Sequence, residues 1–276
     1  MTETRSLLDQ VHFAWVSGGH YRTYFASGGQ GSPLLLLHGA GGDSSIMVDI
    51  IPYLSQDRSV VVPDMLGHGK TKGPSGAYTI HAYVDWLDSY IDALGHRSVQ
   101  LVGHSLGGAV ALRYTDKYPE KVDRLVLVNA ISLGFPRLRS TFTLLRAVFS
   151  CHPEHSRNLI GRVMFFGDNL RRQELTDRYF KDEGRIRKGV TGFVWMLSRT
   201  WHVAIPVSDR FLSGIQVPVL ILWGTNDAYF PASHALRAAR NIKDSTLEYV
   251  PDAGHAPFLE QPEAFSRKLK AFLAEG

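Results

Sequence analysis

The feature that most constrains the fold is a rhythm of short apolar runs of strand length, each followed by a glycine-rich or polar turn and then by a longer stretch of helical periodicity. The runs are Leu34–Leu37, Val60–Val62, Val99–Val102, Leu125–Val128, Val219–Leu222 and Leu247–Val250. Continuous apolar runs suit strands buried on both faces, and their alternation with helices is the βαβ pattern of a parallel sheet. Ahead of them, His12–Val16 and Tyr21–Phe25 flank Ser17-Gly18-Gly19-His20, whose glycines permit a hairpin turn. The sequence thus predicts an α/β fold: a mostly parallel sheet with helices on both faces and an antiparallel edge. Helices are expected at about Ser44–Leu54, Ile80–Leu94, Leu106–Lys117, Ala232–Arg240 and Pro262–Leu273.

From Ile131 to Gly214 the strand rhythm stops, and Thr143–Phe149, Arg157–Phe166 and Val190–Val203 read as helices instead. We therefore expect a core made of residues 1–130 and 215–276, with a helical cap, 131–214, inserted after the sixth strand. The formal charge is +4, and its distribution is uneven: Ile131 to Ile215 holds 14 Lys/Arg against 7 Asp/Glu. A basic surface confined to one region, interspersed with acids, reads as solvated helix rather than as a nucleic-acid interface. With 276 residues and 44% hydrophobic content the chain can bury a large core. Cys151, the sole cysteine, cannot close an intramolecular disulfide, and no Cys/His spacing resembles a zinc site. The polar start, Met1–Gln10, lacks the apolar stretch of a signal peptide, and no run is long enough to span a bilayer. These features lead us to expect a cytoplasmic monomer or homodimer with no cofactor, no metal and no membrane span.

The strongest chemical signal is Gly103-His104-Ser105-Leu106-Gly107-Gly108, between the strand Gln100–Val102 and the helix that begins near Leu106. A tight strand-to-helix turn strains its central residue, exposes the serine hydroxyl and sets it at a helix N-terminus, where free N–H groups favour negative charge. The loop His38-Gly39-Ala40-Gly41-Gly42 follows Leu34–Leu37, and its small residues allow backbone to approach a substrate. The N–H of Ala40, or alternatively Gly41, joins that of Leu106 as a candidate oxyanion hole.

A serine hydroxyl at neutral pH needs a base, and the base needs an orienting group. Of twelve histidines, His255 stands on the loop after the last predicted strand, in Pro251-Asp252-Ala253-Gly254-His255. Asp227, in Trp223-Gly224-Thr225-Asn226-Asp227, is the favoured carboxylate. Its rival Asp252 shares the histidine's own loop, and the end of Leu125–Val128 offers only the uncharged Asn129. Candidate pocket residues are His38, Gly39, Gly41, His104 and Phe258, together with Phe142, Phe166 and Trp195 from the cap.

These motifs, in this order from Pro33 to the C-terminus, resemble the α/β-hydrolase superfamily, in a serine esterase-like branch with a helical lid. The chain order Ser105, Asp227, His255 matches that of the superfamily. The resemblance implies an acyl-enzyme route to hydrolysis of a carboxylic ester, a lactone or a thioester. The substrate is expected to be a small to medium apolar or aromatic acyl compound. Serine at the elbow argues against dehalogenase and epoxide hydrolase branches, which place aspartate there. Carbon–carbon hydrolases of dienoic diketones often carry tryptophan soon after the histidine, where this chain has Ala256-Pro257-Phe258. That branch is the alternative, and a ligand-binding receptor on the same fold is the alternative of another class.

Overall fold

The computed structural model describes residues 11–73, 78–179 and 205–274. The predicted helix Val190–Val203, and Trp195 within it, lie outside these residues. In chain order the elements begin with β1 (His12–Gly18), β2 (Tyr21–Gly28), β3 (Ser32–Leu37), α1 (Ile51–Leu54), β4 (Arg58–Pro63) and α2 (Ile80–Ala93). Next come β5 (Val99–His104), α3 (Leu106–Lys117) and β6 (Val122–Val128), then α4 (Leu138–Val148), α5 (Pro153–Met164) and α6 (Asn169–Tyr179). The chain continues through α7 (Asp209–Ser213), β7 (Val219–Gly224), α8 (Ser233–Asn241), β8 (Ser245–Val250), α9 (Pro257–Glu260) and α10 (Pro262–Leu273).

The eight strands form one sheet in the order β1-β2-β4-β3-β5-β6-β7-β8. The β1–β2 and β2–β4 pairs are antiparallel, and every later pair is parallel. This is the α/β-hydrolase architecture, with the antiparallel edge where the glycine hairpin placed it. The central strands are apolar because both faces are covered: Leu34–Leu37, Leu125–Val128 and Val219–Trp223 are all buried. Each such side chain taken from water contributes roughly 1.5–3 kcal/mol. Tyr83, Trp86, Leu87 and Tyr90 recur at helical spacing and turn α2 onto the sheet.

One expected helix is fragmented. Residues 44–50 form two short 3₁₀ turns, and only Ile51–Leu54 is α-helical. Pro52 has no N–H to donate to Val48, so the ladder cannot run through this point. The Ser44 N–H is instead drawn to the carboxylate of Asp64 at 2.7 Å. In the insert between β6 and β7, α6 was not foreseen, because Asn169–Tyr179 is too polar to show an apolar stripe. Among the described residues no helix is long and apolar enough to cross a membrane.

Parallel strands all end on one side of the sheet, so loops after β3, β5, β6, β7 and β8 converge there. Ala40, Ser105, Asp227 and His255 lie on these loops.

Candidate active site

Ser105 occupies the junction of β5 and α3 with φ 51° and ψ −113°, a backbone conformation that side chains seldom adopt. Such strain costs on the order of 1–3 kcal/mol and persists only where surroundings enforce it. Here they do. A Cβ on Gly103 would come within 2.4 Å of the Gly107 carbonyl oxygen, and one on Gly107 within 2.4 Å of that of Leu37. The elbow therefore closes only with glycine at both places. The Ser105 carbonyl accepts from Gly108 N–H at 3.0 Å and Ile131 N–H at 3.1 Å, which ties the turn to the chain beyond β6. The side chain caps no helix N–H, so its hydroxyl is not committed to holding the turn.

The loop after β3 lies against this elbow. A Cβ on Gly39 would come 3.1 Å from Ser105 Cβ and 2.9 Å from His104 Nδ1, so glycine is what allows the approach. Among the described residues the N–H groups of Ala40 and Leu106 make no hydrogen bond. His38, placed in the pocket by sequence, is instead fully buried beneath the loop. Its Nδ1–H donates to the Gly39 carbonyl at 2.8 Å, and its Nε2 accepts from Met65 N–H at 2.9 Å. Burial holds this imidazole below its usual pKa, in keeping with a neutral ring that donates on one side and accepts on the other. Gly41, with φ +76°, borders a cavity of about 380 Å³ walled by Tyr24, Asp43, Asp64 and Lys70, none of them in the Ser105–His255 cluster.

Asp227 and His255 come together across two loops. His255 Nδ1 lies 2.9 Å from Asp227 Oδ2, and both side chains are almost wholly buried. The carboxylate is saturated with donors. Oδ1 accepts from the N–H of Tyr229 at 2.7 Å and of Phe230 at 3.0 Å, and Oδ2 also accepts from Asn129 Nδ2 at 2.7 Å. Together with the imidazole, these donors fix the orientation of the carboxylate. Asn129 Oδ1 accepts from Gly224 N–H, so the same amide pins the end of β7. Sequence reasoning set Asn129 aside as uncharged. Its place at the end of β6, beside the strand that carries Asp227, was the signal that it serves the acid. The His255 ring is flanked by Tyr229 and Phe230, with ring centres 5.6 and 5.5 Å away. No hydrogen bond joins Ser105 to His255 here, a contact that in resting sites is commonly long and tightens when substrate binds.

His104 and Phe258, both expected in the pocket, stand behind the histidine loop instead. His104 Nε2–H donates to the His255 carbonyl at 2.8 Å, and its ring lies 4.9 Å from those of His255 and Phe258. Burial, and after it the neighbouring His255, holds the His104 pKa well below the usual value. Phe258 is fully buried and packs on toward Phe265 of α10.

Glu260 was not foreseen at all. Its buried carboxylate accepts from Gly254 N–H at 2.8 Å, Ala256 N–H at 3.3 Å and, from the insert, Phe166 N–H at 2.7 Å. Burial pushes its pKa up, against the opposing pull of these three donors. The insert answers in kind, for the Met164 carbonyl accepts from His255 N–H at 2.8 Å. Phe166 thus reaches the site through its backbone. Phe142 does not reach it: the side chain is 63% exposed, on the face of α4 opposite the buried Ser140, Leu144 and Ala147. A pocket wall at Phe142 is therefore withdrawn.

The profile of the alpha/beta hydrolase fold family matches residues 32–262, which span every loop described above. The chain is an alpha/beta hydrolase. It is similar to 2-hydroxy-6-oxo-2,4-heptadienoate hydrolase of Pseudomonas putida, with 30% identity over 94% of this chain and 95% of that protein. Among solved structures, a meta-cleavage product hydrolase from Pseudomonas fluorescens superposes with a TM-score of 0.80 at 25% identity, covering 95% of this chain and 97% of that one. A bacterial membrane phospholipase A superposes with 0.85 at 24% identity, covering 99% of this chain and 88% of that one, and shares the fold. The chemistry of this hydrolase has to be argued from its own site.

Proposed function

We propose that this hydrolase cleaves a carboxylic ester, a lactone or a thioester through an acyl-enzyme, with Ser105 as nucleophile, His255 as general base and Asp227 as its orienting carboxylate. The observation that carries the reading is the pairing of a strained, uncommitted Ser105 with an imidazole fixed through Nδ1 by a donor-saturated Asp227. A carboxylate on Nδ1–H leaves the lone pair on Nε2, the nitrogen that must take the serine proton, and stabilises the imidazolium that results. Attack on the acyl carbon then develops negative charge on the oxygen, for which the free N–H groups of Ala40 and Leu106 are the candidate donors. Each such donor is worth about 3–4 kcal/mol in the transition state. His255 returns the proton to the leaving group and later activates water to release the acid. The insert, on this reading, is a cap over the strand ends. Support comes from its bonds to both catalytic loops: Met164 and Phe166 to the histidine loop, and Arg137 N–H to the Tyr229 carbonyl beside Asp227.

A second reading is favoured by the relative that hydrolyses a dienoate. Cleavage of a carbon–carbon bond in such a substrate calls for a cation to hold its carboxylate. Among the described residues the rings of Tyr229, Phe230 and His104 lie against His255, and the guanidinium of Arg171, which reaches the same loop, is engaged with the Asp252 and Glu260 carbonyls. That environment suits an uncharged acyl group better. Parallel assays of p-nitrophenyl esters and of a 2-hydroxy-6-oxo-dienoate decide between them. Ester turnover well above that of the dienoate supports the proposal, and the reverse order sinks it.

A further inference from the structure

The exposed position of Phe142 has a wider context. Leu138, Phe142, Leu145 and Phe149 follow one another at i, i+4, i+7 and i+11 and therefore form one stripe along α4 and its C-terminus. Leu138 is 76% and Phe149 80% exposed, Phe142 is 63% exposed, and Leu145 is half-buried. The opposite face is apolar too and is already covered: Leu144 and Ala147 are buried, and Ser156 of α5 donates to the Ala147 carbonyl. A helix that is apolar on two faces expects cover on both. Here one face is open.

The flanks of the stripe indicate what covers it. Arg137, Arg139 and Arg146 are exposed beside it, and no Asp or Glu occurs anywhere between Ile131 and Pro153. A second copy packed about a two-fold axis would bring these arginines against their equivalents. The segment 180–204 of this chain carries five Lys/Arg and two Asp/Glu and complements them no better. Leucine and phenylalanine on one stripe with arginine at its margins is the composition of a helix that lies in the plane of an anionic lipid interface. The helix is also fastened to the catalytic end of the sheet, since Ser140 Oγ donates to the Ala228 carbonyl, one residue from Asp227.

We propose that α4 docks this hydrolase on an anionic lipid surface, apolar stripe inward and arginines at the headgroups, and that the acyl substrate is an amphiphile presented there. The docking stands by itself. The statement about substrate rests on the esterase reading above.

Flotation with vesicles of phosphatidylglycerol and phosphatidylcholine in equal parts, against phosphatidylcholine alone, tests the docking with the Ser105→Ala protein, so that catalysis plays no part. Binding to the anionic vesicles is expected, weakening as salt screens the arginines. Phe142→Ser and Phe149→Ser should each weaken it about tenfold or more, since each removes a side chain buried on docking. Arg139→Glu with Arg146→Glu should remove the preference for anionic lipid. Trp15→Ser, an exposed aromatic change on the β1 edge, should leave binding intact, and in protein that retains Ser105 none of these changes should alter the turnover of a short soluble ester. Absence of flotation, or flotation indifferent to α4, overturns the proposal. So does a dimer in sedimentation that Phe142→Ser dissociates, which would make a second copy the occupant. A marked fall in Tm on Phe142→Ser overturns it as well, because the stripe would then be covered by the chain itself.

Discussion

Around Asp227 and Glu260 buried oxygens are matched to donors one by one, whereas on α4 of the insert large apolar side chains stand in solvent. The two regions adjoin, yet they follow opposite rules. At the strand ends precision is bought with glycine, a strained serine and paired polar groups, all held by neighbours that leave no alternative conformation. The insert meets that frame through backbone bonds, through Ser140 and Arg171 and through the Arg178–Asp49 ion pair, and on α4 it leaves an apolar face exposed. On the function proposed above, the difference would divide the labour: attack on the bond belongs to the core, and access to it to the insert.

Changes in the core should therefore stop chemistry whatever the substrate. Ser105→Ala and His255→Ala should each lower kcat by on the order of 10⁴-fold or more, measured on any ester that the native protein turns over. Asp227→Asn should cost on the order of 10⁴-fold, because the amide no longer favours the Nδ1–H tautomer; activity near the native level would remove Asp227 from the mechanism. Asn129→Asp sets a second carboxylate against Asp227 and should lower both Tm and kcat. Asn129→Ala leaves Gly224 N–H without its acceptor, at about 1–3 kcal/mol in denaturant unfolding.

Glu260 lies where the two regions join, so it sharpens the comparison. In Glu260→Gln the amide nitrogen must face a backbone N–H, either that of Phe166 or those of Gly254 and Ala256. A loss of about tenfold in kcat with little change in KM is expected if the contact positions His255, since about 1.4 kcal/mol is one decade. A change in KM alone would place Glu260 with substrate access instead.

Acid sensitivity should also belong to the core. Burial lowers the folded-state pKa values of His38 and His104 below the ordinary 6.5, so the unfolded chain binds more protons as pH falls through that value. The stability they contribute is complete above about pH 6.5 and is lost below it, at up to about 1.4 kcal/mol per pH unit for each ring. The raised carboxyls of Asp64 and Glu260 act in the opposite sense at lower pH. Thermal unfolding followed from pH 7 to pH 5 should show Tm falling; a flat profile would mean that these rings are not buried neutral. Smallest of all, Phe142→Ser should leave kcat/KM for a short soluble ester unchanged, as befits a side chain outside the site.

Much of the core was legible in the sequence because local pattern and tertiary demand agree there. Apolar runs buried on both faces, and glycines required by backbone contact at Gly103 and Gly107, leave a mark that periodicity and motif can read. The candidates Ser105, Asp227 and His255 were picked out for the same reason, and the structure brings Asp227 and His255 within hydrogen-bond reach. Asn129 and Glu260 were not, since their roles depend on loops 98 and 94 residues away, those of Asp227 and Phe166. The error at Phe142 is instructive in a different way. An aromatic residue in an insert over an active site suggests a pocket wall, but only packing reveals which of two apolar helix faces turns inward, and α4 turns Leu144 and Ala147 in.

The central claim is that Ser105 is the nucleophile, and the most direct measurement is covalent capture. Incubation with a fluorophosphonate, followed by intact mass and peptide mapping, should give one adduct, on Ser105, with loss of esterase activity in step with its formation. The Ser105→Ala protein, folded by circular dichroism, should remain unlabelled. An adduct on another residue, or an unmodified Ser105 in a protein that the reagent has inactivated, would contradict the account.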